Sequence, residues 1–202
     1  MPKDPVVICI ARDFGAEGHE IGKLVSLELG IPLYDNDLLV RTAARSGFNL
    51  EQLADFDERK HESRLGFLPD VMSDSGSGDS FFHILKQVIL DLGYSQSCII
   101  EGRLSDFILK DHPGLISVLV TAPEEARIQI VSAKRGLTPA KGKKLVRSMQ
   151  KNRELFYKHF SSGKWRLHDG KDLVVDRSAF GREGAAAIIC AAYREKLKSL
   201  ED

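Results

Sequence analysis

The chain has 202 residues, 43% of them apolar, enough to enclose a core as one domain with room for a small insertion. Its 29 basic and 29 acidic residues cancel to a formal charge of zero, which excludes a global field drawing it to nucleic acid or a membrane surface. No apolar run approaches the roughly 18 residues of a bilayer span, and the opening "MPKDPVV" lacks a signal-peptide layout, so a cytoplasmic location is expected.

In chain order, the first predicted element is the strand "VVICIA" (6–11), followed by the glycine-bearing loop "RDFGAEG" and an apolar-periodic helix over 19–29. A short strand "IPLYD" (31–35) and a helix over 37–46 come next. Residues 48–79 lack a clear period and read as a candidate acceptor-binding cap inserted over the site; within them begins "SDSGSGDS" (73–80), whose polar, glycine-rich composition predicts a mobile loop. A helix over 80–93, the strand "SCIIEG" (97–102), a helix over 104–110, the strand "LISVLVTA" (115–122) and a helix over 123–135 follow. The basic stretch "AKRGLTPAKGKK" (133–144), broken by Gly136 and Pro139, reads as a short candidate lid. A helix over 139–160, the strand "DLVVDR" (172–177) and a helix over 181–198 complete the chain.

The strands are nearly continuous apolar runs rather than alternating ones, which suits parallel strands covered on both faces. Alternation with helices predicts an α/β fold: a doubly wound, five-stranded parallel sheet with helices on both faces, in a single domain over 1–202. Ligands in such sheets bind beyond the carboxyl ends of the strands. Those ends carry "RDFGAEG", "YDND", "EGR" and "TAPEEAR".

The first of these resembles a phosphate loop. Laid on GxxxxGK[ST], "DFGAEGHE" puts Asp13 at the first glycine, Gly18 at the second, His19 at the lysine and Glu20 at the Ser/Thr. Main-chain N–H groups over Gly15, Ala16, Glu17, Gly18, His19 and Glu20 and the helix start would still form an anion cradle. What is lost is the fixed ammonium and the hydroxyl ligand for magnesium, and Glu17 and Glu20 add negative charge where an anion would sit. Two readings therefore stand on this segment alone: a phosphate cradle, or an ordinary strand-to-helix turn with an acidic first helical turn. Glu101 lies where a strand-end acid would hold magnesium through water, and Arg103 offers a bidentate fork for phosphate.

The remaining conspicuous residues read as structural. Cys9, Cys98 and Cys190 sit apart in apolar runs and are expected as reduced, buried thiols. No Cys/His cluster has zinc-ligand spacing, so no structural metal is expected. Trp165 reads as a packing anchor rather than a base platform.

Taken together, "ARDFGAEGHEI", "GIPLYDNDLL", "CIIEGRLSDFIL" (98–109), "RSMQKNRELFYKHFSSGKW" (147–165) and "DLVVDRSAFGREGA" (172–185) resemble, in order, the motifs of the cytidylate kinase-like family of P-loop proteins. The resemblance runs from about residue 6 to residue 190 and is weakest over 56–80. It implies a P-loop kinase-type core using ATP and Mg2+. The γ-phosphoryl of ATP would pass to a nucleoside monophosphate, CMP-like, or to a similar small acceptor. By this likeness Asp35, Arg41 and Arg103 would bind the acceptor, and Arg127 and Arg135 would cover ATP from the lid side. Arg153 would reach the transferring group, joining Arg103, Glu101 and His19 as catalytic residues, with Glu101 also the metal residue. Partners would be small-molecule nucleotides, with no nucleic acid and no membrane; a homo-oligomer stays open. The family pattern has arginine where His19 stands, glycine where Glu17 stands and an acid where Gln150 stands. The alternatives are a nucleotide-binding regulatory module that has lost turnover, and a fold kept as an oligomerisation surface.

Overall fold

The structure, a computed structural model, describes residues 5–35 and 77–200. The expected helix over 37–46, nearly all of the expected cap over 48–79, and Arg41 lie outside the described residues.

The strands are β1 (Val7–Arg12), β2 (Leu33–Tyr34), β3 (Cys98–Glu101), β4 (Leu115–Thr121) and β5 (Leu173–Asp176). They form one parallel sheet in the order β2-β3-β1-β4-β5. The helices are α1 (Gly18–Leu29), α2 (Ser77–Ser95), α3 (Ser105–Ile108), α4 (Glu124–Arg135), α5 (Pro139–Phe160) and α6 (Arg177–Ser199). The doubly wound parallel architecture expected from the strand–helix alternation is the one observed.

Side chains alternate along a strand, and β1 lies at the sheet centre, so both of its faces are buried. Val6, Ile8 and Ile10 pack with Ile21 and Val25 of α1 and with Ala185 and Ile189 of α6. Val7 and Cys9 pack on the other side with Leu85, Val88 and Ile89 of α2 and with Leu109. Each wholly buried Ile or Leu contributes roughly 1.5–3 kcal/mol over leaving it in water. This explains why an apolar run without alternation folds as a central strand. The cysteines lie in these layers as free thiols. Burial pushes Cys98 up to about 12 and Cys190 up to about 11, so they stay protonated and inert.

One local expectation fails. Residues 77–80, expected in a mobile loop, form the first turn of α2. Composition favours a loop there, but Ser and Asp are tolerated in a first turn, and the face carrying Leu85, Val88 and Ile89 fixes the helix against the sheet.

Residues 133–144 span the end of α4, a short link and the start of α5. Gly136 closes α4 in the left-handed region with its N–H on the Ser132 carbonyl. Thr138 opens α5, its side chain accepting from the Lys141 N–H, with Pro139 in the first turn. A Cβ at Gly142 would meet Ser132 Oγ at 2.0 Å, so this glycine lets the two helices approach closely. α6 begins with Asp176 capping the Ser178 N–H at 2.7 Å, then breaks at Gly181. The expected helix start at 181 coincides with that break.

Candidate active site

The segment joining β1 to α1 lies where strand ends converge. Gly15 (φ 89) turns the chain tightly against α4: a Cβ there would stand 2.9 Å from Val131 Cγ2 and 3.1 Å from the Arg127 carbonyl oxygen. Glu17 is also left-handed (φ 60), at a cost of about 1–2 kcal/mol for a non-glycine residue. Its side chain leaves the loop and pairs with Lys134 Nζ at 2.9 Å and Arg177 Nη2 at 2.5 Å. Burial acts to raise the Glu17 carboxyl's pKa, but the Lys134 ammonium and Arg177 guanidinium outweigh it and hold the group below its ordinary value. The negative charge expected in the anion position is thus neutralised by cations from α4 and α6. Glu20 lies 3.8 Å from Lys23 on the same helix.

The loop is also fixed from beneath. Asp13, at the first glycine position, accepts from Thr121 Oγ1 at 2.6 Å and from Gln150 Nε2 at 2.9 Å, with His168 Nε2 at 3.3 Å. Gln150 Oε1 in turn accepts from the Phe14 N–H at 2.9 Å. One amide on α5 therefore anchors two consecutive loop residues. The Ala16 N–H is spent in a turn onto the Asp13 carbonyl. At the start of α1 the N–H groups of Gly18, His19 and Glu20 have no intrahelical acceptor, as at any helix N-terminus.

Glu101, at the end of β3, is the charge centre. Its Oε1 lies 2.7 Å from Arg12 Nη2 and its Oε2 lies 2.6 Å from His19 Nδ1. The carboxylate is 4% exposed. Burial pushes its pKa up; Arg12, then the His19 hydrogen bond and charge, and Arg153 overcome this and bring it to about 2. Reciprocally, the Glu101 hydrogen bond outweighs desolvation and raises His19, with Asp35 adding to it across the gap from β2. A histidine at the lysine position thus acquires positive character from its carboxylate partner.

Arginines surround the loop. Arg153 Nη1 donates to the Arg12 carbonyl at 3.0 Å, and its guanidinium lies 5.3 Å from the centre of the Phe14 ring. Arg135 reaches the same ring at 5.8 Å. Arg127 donates from Nε to the Ala122 carbonyl at 2.9 Å and from Nη1 to the Phe14 carbonyl at 3.3 Å. Arg103 belongs to a left-handed run, Gly102 (φ 72), Arg103 (φ 54) and Leu104 (φ 60), and its guanidinium lies 5.6 Å from the Phe156 ring centre on α5. Two non-glycine residues in that region cost about 1–3 kcal/mol each. The complete burial of Leu104 and the Ser105 and Phe107 N–H bonds to Gly102 and Leu104 hold the turn. Its effect is to fix where Arg103 starts.

The sequence-predicted residues therefore divide. Glu101 and His19 pair directly, with Arg153 acting on Glu101 and Asp35 on His19 electrostatically. Arg127 and Arg135 gather with Arg153 at Phe14. Arg103 stands one turn beyond Glu101, against α5. Missing from the sequence reading are Arg12 and Phe14. The signal for Arg12 was present: a cation closing an otherwise apolar strand, directly before the loop.

As a magnesium ligand, Glu101 fits in one respect: it is buried and charged at a strand end. Among the described residues no group of three or more His, Cys, Asp or Glu could hold a metal ion. Both Glu101 oxygens are taken by Arg12 and His19, and Mg2+ commonly uses one or two carboxylates and keeps several waters.

Behind the arginines lies a second polar cluster. Asp106 of α3 accepts from the Tyr157 hydroxyl at 3.1 Å and the Trp165 Nε1 at 2.9 Å, and forms a buried ion pair with Lys171. Trp165 is thus an anchor, packed on Phe107 and against Gly170, as expected. The cluster ties α3, which follows Arg103, to α5, which carries Arg153.

The order β2-β3-β1-β4-β5 with a loop and helix start after β1 defines the fold of the P-loop kinases. An uncharacterized protein from Eubacterium ventriosum superposes with a TM-score of 0.71 at 19% identity, covering 94% of this chain and 98% of the other. Shikimate kinase from Acinetobacter baumannii, in complex with shikimate, superposes at 0.53 with 13% identity, covering 95% and 93%. A gluconokinase from Sinorhizobium meliloti does so at 0.53 with 14% identity, covering 98% and 95%. No curated protein sequence matches significantly. Residues 7–179 match the cytidylate kinase-like family, and the chain belongs to it.

Proposed function

We propose that the protein is an ATP-dependent phosphotransferase whose acceptor is a small molecule carrying a phosphate or hydroxyl group, a CMP-like nucleoside monophosphate first among them. The observation that carries this reading is the buried, charged Glu101 at a strand end, flanked by Arg12, His19 and Arg153 beside a helix N-terminus. Family membership and the kinase fold support it.

In this reading the N–H groups opening α1 hold the ATP phosphates, and the cations gathered at Phe14 offset their charge. Magnesium, when bound with the nucleotide beside Glu101, neutralises charge on the phosphates. Arg103 orients the acceptor's phosphate through its fork, and Arg153 reaches the group in transfer. The bond from γ-phosphorus to the acceptor oxygen forms as its bond to the β–γ bridging oxygen breaks, and ADP leaves. An ionised acceptor phosphate needs no base, whereas a hydroxyl acceptor would release its proton to water as the new bond forms. With little covalent work to do, the chain contributes positioning and charge.

The alternative, a nucleotide-binding regulatory module, is favoured by one observation: His19, at the lysine position, is engaged with Glu101. The test is to incubate the full chain with Mg-ATP and each nucleoside monophosphate and to measure ADP. Acceptor-dependent ADP supports phosphotransfer. Nucleotide-induced thermal stabilisation without turnover supports the module. Neither effect contradicts both.

A further inference from the structure

We propose that Arg12 is the phosphate-binding cation of this loop, held on Glu101 in the free protein and passed to the nucleotide's phosphates on binding. The inference deepens the phosphotransferase reading and rests on it.

Arg12 requires small neighbours. A Cβ on Gly18 would stand 2.7 Å from Arg12 Cβ and 3.0 Å from its Cγ. A Cβ on Gly102 would stand 2.1 Å from Arg12 Nη1. The Arg12 side chain therefore runs along a track bounded by glycine at both ends. It passes over the first residue of α1, where N–H groups lack intrahelical acceptors, and ends at the turn after β3. Any side chain at 18 or 102 would displace it. Those glycines are explained by the arginine as much as by the turns that contain them.

Its anchoring suits exchange. The backbone is fixed by the β1 pairing and by Arg153 donating to the Arg12 carbonyl at 3.0 Å, whereas the guanidinium is partly exposed and held by Glu101 at 2.7 Å. The same carboxylate also binds His19. Glu101 can release one cation and remain paired with the other, so the exchange leaves no bare charge buried. The other cations come to the loop from α4, α5 and α6: Arg127 bonds two carbonyls, Arg135 and Arg153 lie over Phe14, and Lys134 and Arg177 neutralise Glu17. Arg12 is thus the cation that the β1 end itself supplies at the first residue of α1. A guanidinium delivers two N–H groups in a fixed fork, which matches phosphate better than an ammonium does.

The test measures binding by calorimetry on the full chain, using adenosine, AMP, ADP, ATP and inorganic triphosphate with and without magnesium. In the wild type, affinity rises with phosphate number. Arg12→Ala lowers affinity for ATP and triphosphate by about tenfold to a hundredfold, the range for a charge-assisted hydrogen-bonding group, and leaves adenosine unchanged. Arg12→Lys recovers part of the loss. Glu101→Gln, which removes the competing carboxylate charge, tightens triphosphate binding without magnesium. In the wild type, the Arg12 Nε–Hε NMR signal moves on adding triphosphate, a readout that does not require any variant to fold. An immobile Arg12 signal, or an Arg12→Ala loss as large for adenosine as for ATP, overturns the inference and makes Arg12 a structural brace for Glu101. A wild type that binds no nucleotide and no triphosphate overturns the phosphotransferase reading itself.

Discussion

Asp106→Ala is expected to be the most damaging single change behind the candidate site. The carboxylate is 1% exposed and its partner Lys171 is 2% exposed, so neither can exchange the ion pair for water. Removal leaves the Lys171 ammonium buried among Tyr157 and Trp165, and also strips the Tyr157 hydroxyl and the Trp165 N–H of their acceptor. Breaking one side of a buried pair costs about 3–5 kcal/mol, against about 5–15 kcal/mol of total stability for a typical domain. For a chain of this size that is a fall in Tm of about 10 °C. Asp106→Ala with Lys171→Met removes both charges and should recover at least about half of the loss, since the penalty comes mainly from the orphaned ammonium. Urea unfolding followed by circular dichroism measures both variants. A single-variant loss under about 1 kcal/mol, or a double variant no better than the single, would mean that Lys171 finds water or another partner once Asp106 is gone.

Glu17→Gly and Glu17→Ala both lose the Lys134 and Arg177 pairs, but only glycine relieves the left-handed backbone; the glycine variant should be the more stable by about 1 kcal/mol in the same unfolding assay. Equal stabilities would mean that the backbone at 17 is unstrained. Gly15→Ala should cost about 2–4 kcal/mol, from the positive φ and from contact with Val131 and the Arg127 carbonyl, and should weaken ATP binding in calorimetry. A neutral effect would mean the turn can open. The folded-state pKa of Glu101 is depressed to about 2 from 4.5, so the stability its charge contributes is complete above 4.5 and drains as pH falls toward 2. The stability difference between the wild type and Glu101→Gln, measured by urea midpoints at pH steps from about 6, below the ordinary His19 value of 6.5, to about 3, should hold steady and then shrink below about 4.5. A difference that stays constant to pH 3 would contradict the depressed value.

The sheet was legible because the strands are apolar runs that only a two-sided burial can satisfy. β1, β3 and β4 each read as strands from composition alone, and burial at Val7, Ile8, Ile99 and Val118 explains why. Positions at the strand ends were legible too: Glu101 and Arg103 follow directly from where β3 stops. What was not legible depends on partners far away in sequence. Glu17 looked like a charge in the anion position because nothing local reveals a left-handed backbone or the arrival of Lys134 and Arg177. Arg12 meets Glu101 only because β1 and β3 are paired in the sheet. Asp106 and Lys171 stand 65 residues apart and carry no common motif. The first turn of α2 was misread for the converse reason: local composition spoke for a loop, and packing further along the helix decided otherwise.

The most direct test of the central claim is an amide NMR titration of the full chain with Mg-ATP. Main-chain N–H groups at the start of α1, aided by side-chain guanidinium groups rather than a loop lysine, should receive the phosphates. The signals of Glu17, Gly18, His19 and Glu20 are therefore predicted to shift and saturate together. Saturating nucleotide that leaves those signals in place in a folded chain would contradict the account.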